Sequence, residues 1–380
     1  MRIDAATPAR QPLTAVSAYI DAKSAHIETL KLRAVDRFER AEHQADGQLQ
    51  VLLDGQRHSR THDGLLFTAI GLLPAALCTA AGYTMAGSVG ALAGTGAGLA
   101  LFALPATFFL HRALKAPQWK AEQRLEINGP SRPSLEPAGT QRLASLVEES
   151  RSRAPQARQI LFLSGHGNRS QVANMDMEAL GQSMGDHPVD ITILDACLVG
   201  QLEVMSRLAP WAGLVLASAH PIRARGLELE NILRPEHLNQ PDATQAAVAM
   251  AKEAVSTTPS FAVIDTARLQ SQLLPALDRL GERLAADPGP VRPVLAQSLS
   301  SNGLLSARVD LGSFLTKLSE ARPDHQEAQE ALRAYRACVP FQKNQHGISF
   351  HLRAGRNDPT LPLGWRKFLT QLDRDFKPLW

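Results

Sequence analysis

An α/β fold with a mostly parallel sheet flanked by helices is expected over residues 141–380, and three observations predict it. Two apolar, β-branched runs, QILFLS (159–164) and DITIL (190–194), each end abruptly in small or turn-forming residues. That is how a parallel strand buried on both faces reads. Helical patterns around 175–184 and over 198–208 separate these runs from a third, GLVLAS, at 213–218. Strand, helix, strand, helix, strand is the order that parallel crossovers produce.

The rest of this region continues the alternation. SFAVIDT offers another strand, followed by helices over 267–286 and 293–299. Further helices are expected over 309–318 and 327–338, a strand at GISFHL, and a closing helix over 365–372.

Ahead of it, a helical N-terminal region is expected over 1–63. Residues 14–45 place Val16, Ile20, Ile27, Leu30, Ala34 and Phe38 along one helix face, suited to a partner helix or a membrane surface. Residues 64–110 contain no Asp, Glu, Lys, Arg or His. With the usual charged share of about 25%, so long a gap arises by chance roughly once in a million windows. The gap divides into GLLFTAIGLLPAALCTAAGY and GALAGTGAGLALFALPATFFL, each about long enough to span a hydrocarbon core. Gly90, Gly94 and Gly98 recur every fourth residue, a spacing that lets helices approach closely in lipid. The expectation over 64–112 is a two-helix transmembrane hairpin, with a buried soluble hairpin or an amphipathic membrane-active segment as the alternative. Arg57 and Arg60 on one flank, and Arg112, Lys115 and Lys120 on the other, place both ends and the downstream domain on the cytoplasmic side. Pro117, Pro130, Pro133 and Pro137 with Gly129 and Gly139 read as a linker over 113–140.

Composition excludes several classes. The 380 residues are 44% hydrophobic and 20% charged, with a formal net charge of +3. Basic residues are spread along the chain and there are only three Tyr and four Trp, so no nucleic-acid partner is expected. Cys78, Cys197 and Cys338 fit neither a disulfide framework nor a zinc pattern, which favours a reducing compartment. No metal-ligand cluster or cofactor motif is present, so no cofactor is expected. The first 16 residues lack the apolar core of a secretory signal.

The chemistry sits at two strand ends. The first run closes in Gly165-His166-Gly167 and the second in Asp195-Ala196-Cys197. In open α/β sheets ligands bind in the crevice outside the carboxyl ends of the strands. A His at one end and a Cys at the next suit a general base and a nucleophile. Cys197 lies directly before an expected helix, whose unpaired N–H groups favour an anion. Gly167 permits a tight turn that aims an N–H at an oxyanion hole, with the Cys197 N–H as second donor. A buried structural cysteine is the other reading of Cys197, and it is the reading given to Cys78 and Cys338. His220 follows the third run and is a candidate substrate contact on the same crevice.

At these residues the chain resembles the clostripain family of cysteine peptidases, which share a caspase-like fold. The resemblance is carried by SGHG and LDACLVGQLEVMSRLAPWAGLVLASAHP, and more weakly by AVIDTARL, VDLGSFL, HGISFHL and GWRKFL. It covers about residues 155–373. It implies a dyad of His166 as base and Cys197 as nucleophile, with Gly167 and Cys197 as oxyanion donors. It also implies that Asp195 lies in the pocket for the residue before the cut, giving cleavage after Arg or Lys; a cap on the following helix is the other role for Asp195. Val199 replaces a usual Met, and Ala219 and His220 stand where acidic residues are expected. Self-cleavage is common among members, and Arg169, Arg223 and Arg225 are candidate sites.

Three functions follow as expectations. The first is a membrane-anchored cysteine endopeptidase acting on protein or peptide, with lipid as a second partner and its catalytic domain facing the cytoplasm. The second is an inactive caspase-like scaffold at a membrane. The third is a secreted bacterial effector protease that inserts in a target-cell membrane.

Overall fold

The computed structural model describes Thr14–Asp21, Gly47–Asp54, Gln123–Glu126 and Arg132–Pro133, and then 139–376 apart from 174, 223–225, 257, 259, 289–290, 299–307, 344–346 and 354. Its centre is a run of apolar strands whose two faces are both covered. β1 (Thr14–Asp21), β2 (Gly47–Asp54), β3 (Gln123–Glu126) and β4 (Arg132–Pro133) come first, then β5 (Arg158–Ser164). The short strands β6 (Gln171–Val172) and β7 (Met175–Asp176) form a small hairpin. β8 (Val189–Asp195), β9 (Ala212–Ala217) and β10 (Ala262–Asp265) follow, and β11 (Arg308–Asp310), β12 (Phe341–Gln342) and β13 (Ser349–His351) close the set.

Among the described residues, nine strands join one sheet in the order β12-β10-β9-β8-β5-β1-β2-β3-β4. The five from β9 to β2 run parallel, and β10, β12 and β3 pair antiparallel at the flanks. The mostly parallel sheet expected from the sequence is therefore present. Side chains alternate along β5: Ile160 and Phe162 enter one core with Met250 and Ala254, while Leu161 and Leu163 enter the other with Leu143 and Val147. Each such side chain contributes about 1.5–3 kcal/mol of burial. One face carries α1 (Gly139–Arg153), α2 (Met177–Met184) and α3 (Leu202–Leu208), and the other carries α4 (Ala243–Ala254). The chain continues through α5 (Leu274–Ala286), led in by a π turn over Leu269–Leu273, and α6 (Val291–Ser298). α7 (Leu311–Ala321), α8 (Gln326–Cys338) and α9 (Leu363–Phe376) complete it. Phe350 of β13 meets Trp365 of α9 edge-on at 5.2 Å and Phe314 of α7 at 5.8 Å, so β13 is pinned from behind by an aromatic cluster.

Three expectations are corrected. The helix expected from residue 14 is a strand over Thr14–Asp21, lying between β5 and β2. Val16 and Ala18 face one core and Tyr19 the other, so the segment has no polar stripe and its spacing could not separate strand from helix. The sheet is also not confined to 141–380: β1 and β2 come from the expected helical region 1–63, and β3 and β4 from the expected linker 113–140. The helix expected over 309–318 begins at Leu311, after the short strand β11.

The chain divides into two compact units. One contains every element above. The other, Lys23–His26 with Gly55–Ala121, lies outside the described residues and includes the expected hairpin over 64–112. Among the described residues no helix is long and apolar enough to cross a membrane.

Candidate active site

The two sequence-expected residues leave adjacent strands at the same level. β5 and β8 pair in parallel with Ser164 opposite Asp195, so His166 and Cys197 each stand two residues past one rung of the ladder. Neighbouring strands at such a rung are about 5 Å apart. Gly165 N–H donates to Asp195 O at 3.2 Å, carrying the contact beyond the strands. A methyl at Gly167 would lie 2.7 Å from Ala196 Cβ and 2.8 Å from Cys197 O, so the two turns meet and any side chain at 167 would have to push them apart. His166 is exposed and Cys197 half-buried.

The turn after β8 is held from two sides. Leu198 adopts φ +62°, a left-handed conformation that costs a non-glycine residue about 1–2 kcal/mol. Its N–H donates to His220 O at 3.3 Å, and Gly200 N–H donates to Ser218 O at 2.8 Å, both on the exit from β9. On the other side Gly200 O accepts from Ser349 N–H at 2.9 Å and from Ser349 Oγ at 3.3 Å. A sharply bent, clamped turn is a sound mount for one reactive side chain. It also corrects an expectation: α3 begins at Leu202 with Gln201 as its cap, so Cys197 is five residues short of the helix and owes nothing to its dipole.

The sulfur faces the segment after His220. Ile222 N–H donates to Cys197 Sγ at 3.3 Å, and Sγ in turn reaches Ile222 O at 3.6 Å. His220 is half-buried at this rim, its N–H donating to Ser218 Oγ at 3.1 Å.

Asp195 is buried and engaged. Oδ2 accepts from Ser164 Oγ at 2.6 Å and Oδ1 from Leu227 N–H at 2.9 Å. Gly226, at φ +68°, packs so closely that a methyl there would lie 2.5 Å from Oδ2. The carboxylate ties the β5 end to the segment at 226–227, and it does not cap α3. Arg169 is exposed, three residues past His166, in a turn that Asn168 Oδ1 closes by accepting from Ser170 N–H (2.8 Å) and Gln171 N–H (3.0 Å). Arg223 and Arg225 lie outside the described residues, as does Cys78. Cys338 is buried on α8, and burial pushes its thiol up to about 12.

Two titratable residues that the sequence did not single out sit behind this rim. Glu203 of α3 is fully buried, and burial pushes its carboxyl up to about 7. His351 of β13 is pushed down to about 4 by burial, reinforced by the guanidiniums of Arg169, Arg308 and Arg353. Among the described residues no cluster of three or more His, Cys, Asp or Glu is placed to hold a metal. A groove of about 890 Å³ opens at the opposite, amino end of the strands, lined by Arg158, Gln159, Asp190 and Gly213. It is remote from His166 and Cys197, which stand beyond the carboxyl ends of β5 and β8.

Residues 147–335 match the family model described as the clostripain family. The chain belongs to the clostripain family. It is, by that membership, a cysteine peptidase of the clostripain type. No curated protein matches it. Solved structures of this family share its fold: an inactive zymogen C11 protease from Parabacteroides distasonis has a TM-score of 0.58 at 14% identity, over 98% of this chain and 99% of that one. A secreted C11 cysteine protease from Bacteroides thetaiotaomicron gives 0.57 at 13% identity, over 97% and 98%. A structure of a secreted C11 protease from that organism with an irreversible peptide inhibitor gives 0.56 at 12%, over 97% of each chain. At these identities the likeness is one of fold.

Proposed function

We propose that this clostripain-family chain is an endopeptidase in which Cys197 attacks the scissile carbonyl. His166 takes the thiol proton and then delivers it to the leaving amine. The N–H groups of Gly167 and Cys197 hold the oxyanion. The observation that carries this reading is the Ser164–Asp195 rung, from which His166 and Cys197 each follow by two residues.

Cleavage after Arg or Lys is the specificity favoured, since a carboxylate is the natural receptor for a guanidinium and Asp195 stands two residues before the sulfur. In the described state that carboxylate is satisfied by Ser164 and Leu227. A basic side chain therefore reaches it only when the 226–227 segment gives way. His220 contacts substrate from the rim, and Arg169, exposed beside His166, is a site for self-cleavage.

The test is hydrolysis by the full chain of fluorogenic peptides ending in Arg, Lys or a neutral residue. Cys197→Ala and His166→Ala are each expected to lower turnover by about 10³-fold or more, with basic ends preferred. Equal turnover by wild type and Cys197→Ala would end the reading. The uncharged stretch over 64–110 favours attachment to a membrane, with the peptidase domain on the cytoplasmic side. Recovery of the full chain wholly in the soluble fraction of cells would remove that part alone.

A further inference from the structure

Strand β13 stands behind the Cys197 turn. Ser349 holds Gly200 through its main chain and hydroxyl. Two residues on, His351 N–H donates to Glu203 Oε1 at 3.3 Å. Arg169, from the His166 turn, acts electrostatically on both Glu203 and His351. Glu203 is thus a link between the helix that follows Cys197 and a strand that also supports the Cys197 turn.

The surroundings of Glu203 suit an uncharged acid. Its Oε2 is buried without a hydrogen-bond partner, and a methyl at Gly355 would lie 3.0 Å from Oε1, so nothing larger fits beside it. Arg207, one turn along α3, donates to Glu203 O at 3.1 Å and to Asp358 Oδ2 at 2.6 Å, so its charge is committed to the other carboxylate. The groups facing Glu203 are therefore Asp358, which opposes its ionisation, Arg169, which favours it, and His351, whose Nδ1 accepts from Arg353 N–H at 3.2 Å. An ionised carboxylate buried with only the main-chain N–H groups of Glu203 and His351 to meet it, and with Oε2 unpartnered, is poorly compensated, whereas the neutral acid keeps those contacts at no charge cost.

We propose that Glu203 is a positioning residue for the Cys197 turn: uncharged, it stays seated between α3 and β13, and a charge on its buried, unpartnered Oε2 draws the side chain toward water and parts the two elements. The proposal rests on the reading of Cys197 as nucleophile, and its test separates the two.

Stability and exchange come first, because they need no activity. Glu203 binds its proton more tightly folded than unfolded, where its ordinary value is 4.5. The folded state therefore holds more protons between about pH 4.5 and 7, and stability declines as pH rises through that window, then levels off. Glu203→Gln lacks this titration, so its Tm is expected to gain on wild type by several degrees between pH 5 and 8. After correction for intrinsic rates, amide exchange over 198–203 and 349–351 is expected to quicken about tenfold in wild type from pH 6 to 8, and not in Glu203→Gln.

Kinetics follow. Wild-type kcat is expected to fall through about pH 7 with KM unchanged, and Glu203→Gln to stay level over that range with near-wild-type kcat at pH 6. Asp358→Asn removes an opposing charge and frees Arg207, so it moves the same limb to lower pH; it serves if Glu203→Gln fails to fold. Identical exchange and Tm profiles in wild type and Glu203→Gln overturn the proposal, as does a kcat limb that neither variant moves. An exchange difference in a chain without Cys197-dependent hydrolysis upholds the Glu203 tie and faults the peptidase reading instead.

Discussion

The two turns that meet at the candidate site are built differently. The one carrying Cys197 is wedged: Ser218 and His220 hold it from β9, Ser349 holds it from β13, and Leu198 is bent into a left-handed conformation between them. The one carrying His166 has one main-chain bond to its neighbour, from Gly165 N–H to Asp195 O; beyond it, the exposed stretch is closed locally by the Gly167–Val172 bridge and the turn of Asn168. A nucleophile must meet a carbonyl at a fixed angle, whereas a base that both takes and returns a proton needs freedom to pivot. With Cys197 as the proposed nucleophile and His166 as the proposed base, the asymmetry of support matches that asymmetry of task.

Three substitutions probe this contrast. Gly200→Ala strikes the wedge, because its methyl would lie 2.6 Å from Ala219 N, a main-chain atom with little room to retreat. The expected result is about 1–3 kcal/mol lost from unfolding free energy in denaturant titration, with peptide turnover down about 100-fold as Cys197 shifts. Gly167→Ala strikes the contact between the turns. There the His166 turn can swing outward, so turnover should fall about 10-fold while stability changes by less than Gly200→Ala costs. Asn168→Ala touches the His166 turn alone and should cost about 1 kcal/mol or less, with turnover within about threefold of wild type. If Asn168→Ala proved as damaging as Gly200→Ala, the His166 turn would be as rigidly held as its neighbour and the contrast would fail.

Much of this was legible in the amino-acid sequence, for reasons that also explain what was not. β5, β8 and β9 announce themselves because a strand buried on both faces needs an unbroken apolar run, and glycines at its end mark where the chain leaves the sheet. The same property hid β1: TAVSAYID is short, lacks a polar face, and lies about 140 residues from β5, one of the two strands it pairs with. The start of α3 was misplaced because Leu198, Val199 and Gly200 continue an apolar pattern, yet close packing of Gly200 on Ser218 and Ala219 keeps them out of a helix. His166, Gly167 and Cys197 could be singled out as candidates from punctuation alone. Glu203 and His351 could not, since they are 148 positions apart and neither stands out beside its neighbours in the chain. The engagement of Asp195 by Leu227 was hidden likewise, in a segment without periodicity.

The placement of β1 governs how the protein can be made and handled. The first described strand enters the middle of the sheet, beside a partner that leaves the ribosome only after some further 140 residues have been synthesised. Until then β2 can pair with one edge of β1 only, and the donors and acceptors along the other edge wait for a mate, a condition that favours slow folding and calls for protection from aggregation. A trimmed fragment starting at 141 would carry the same penalty permanently, with one flank of β5 left as a bare template for intermolecular pairing.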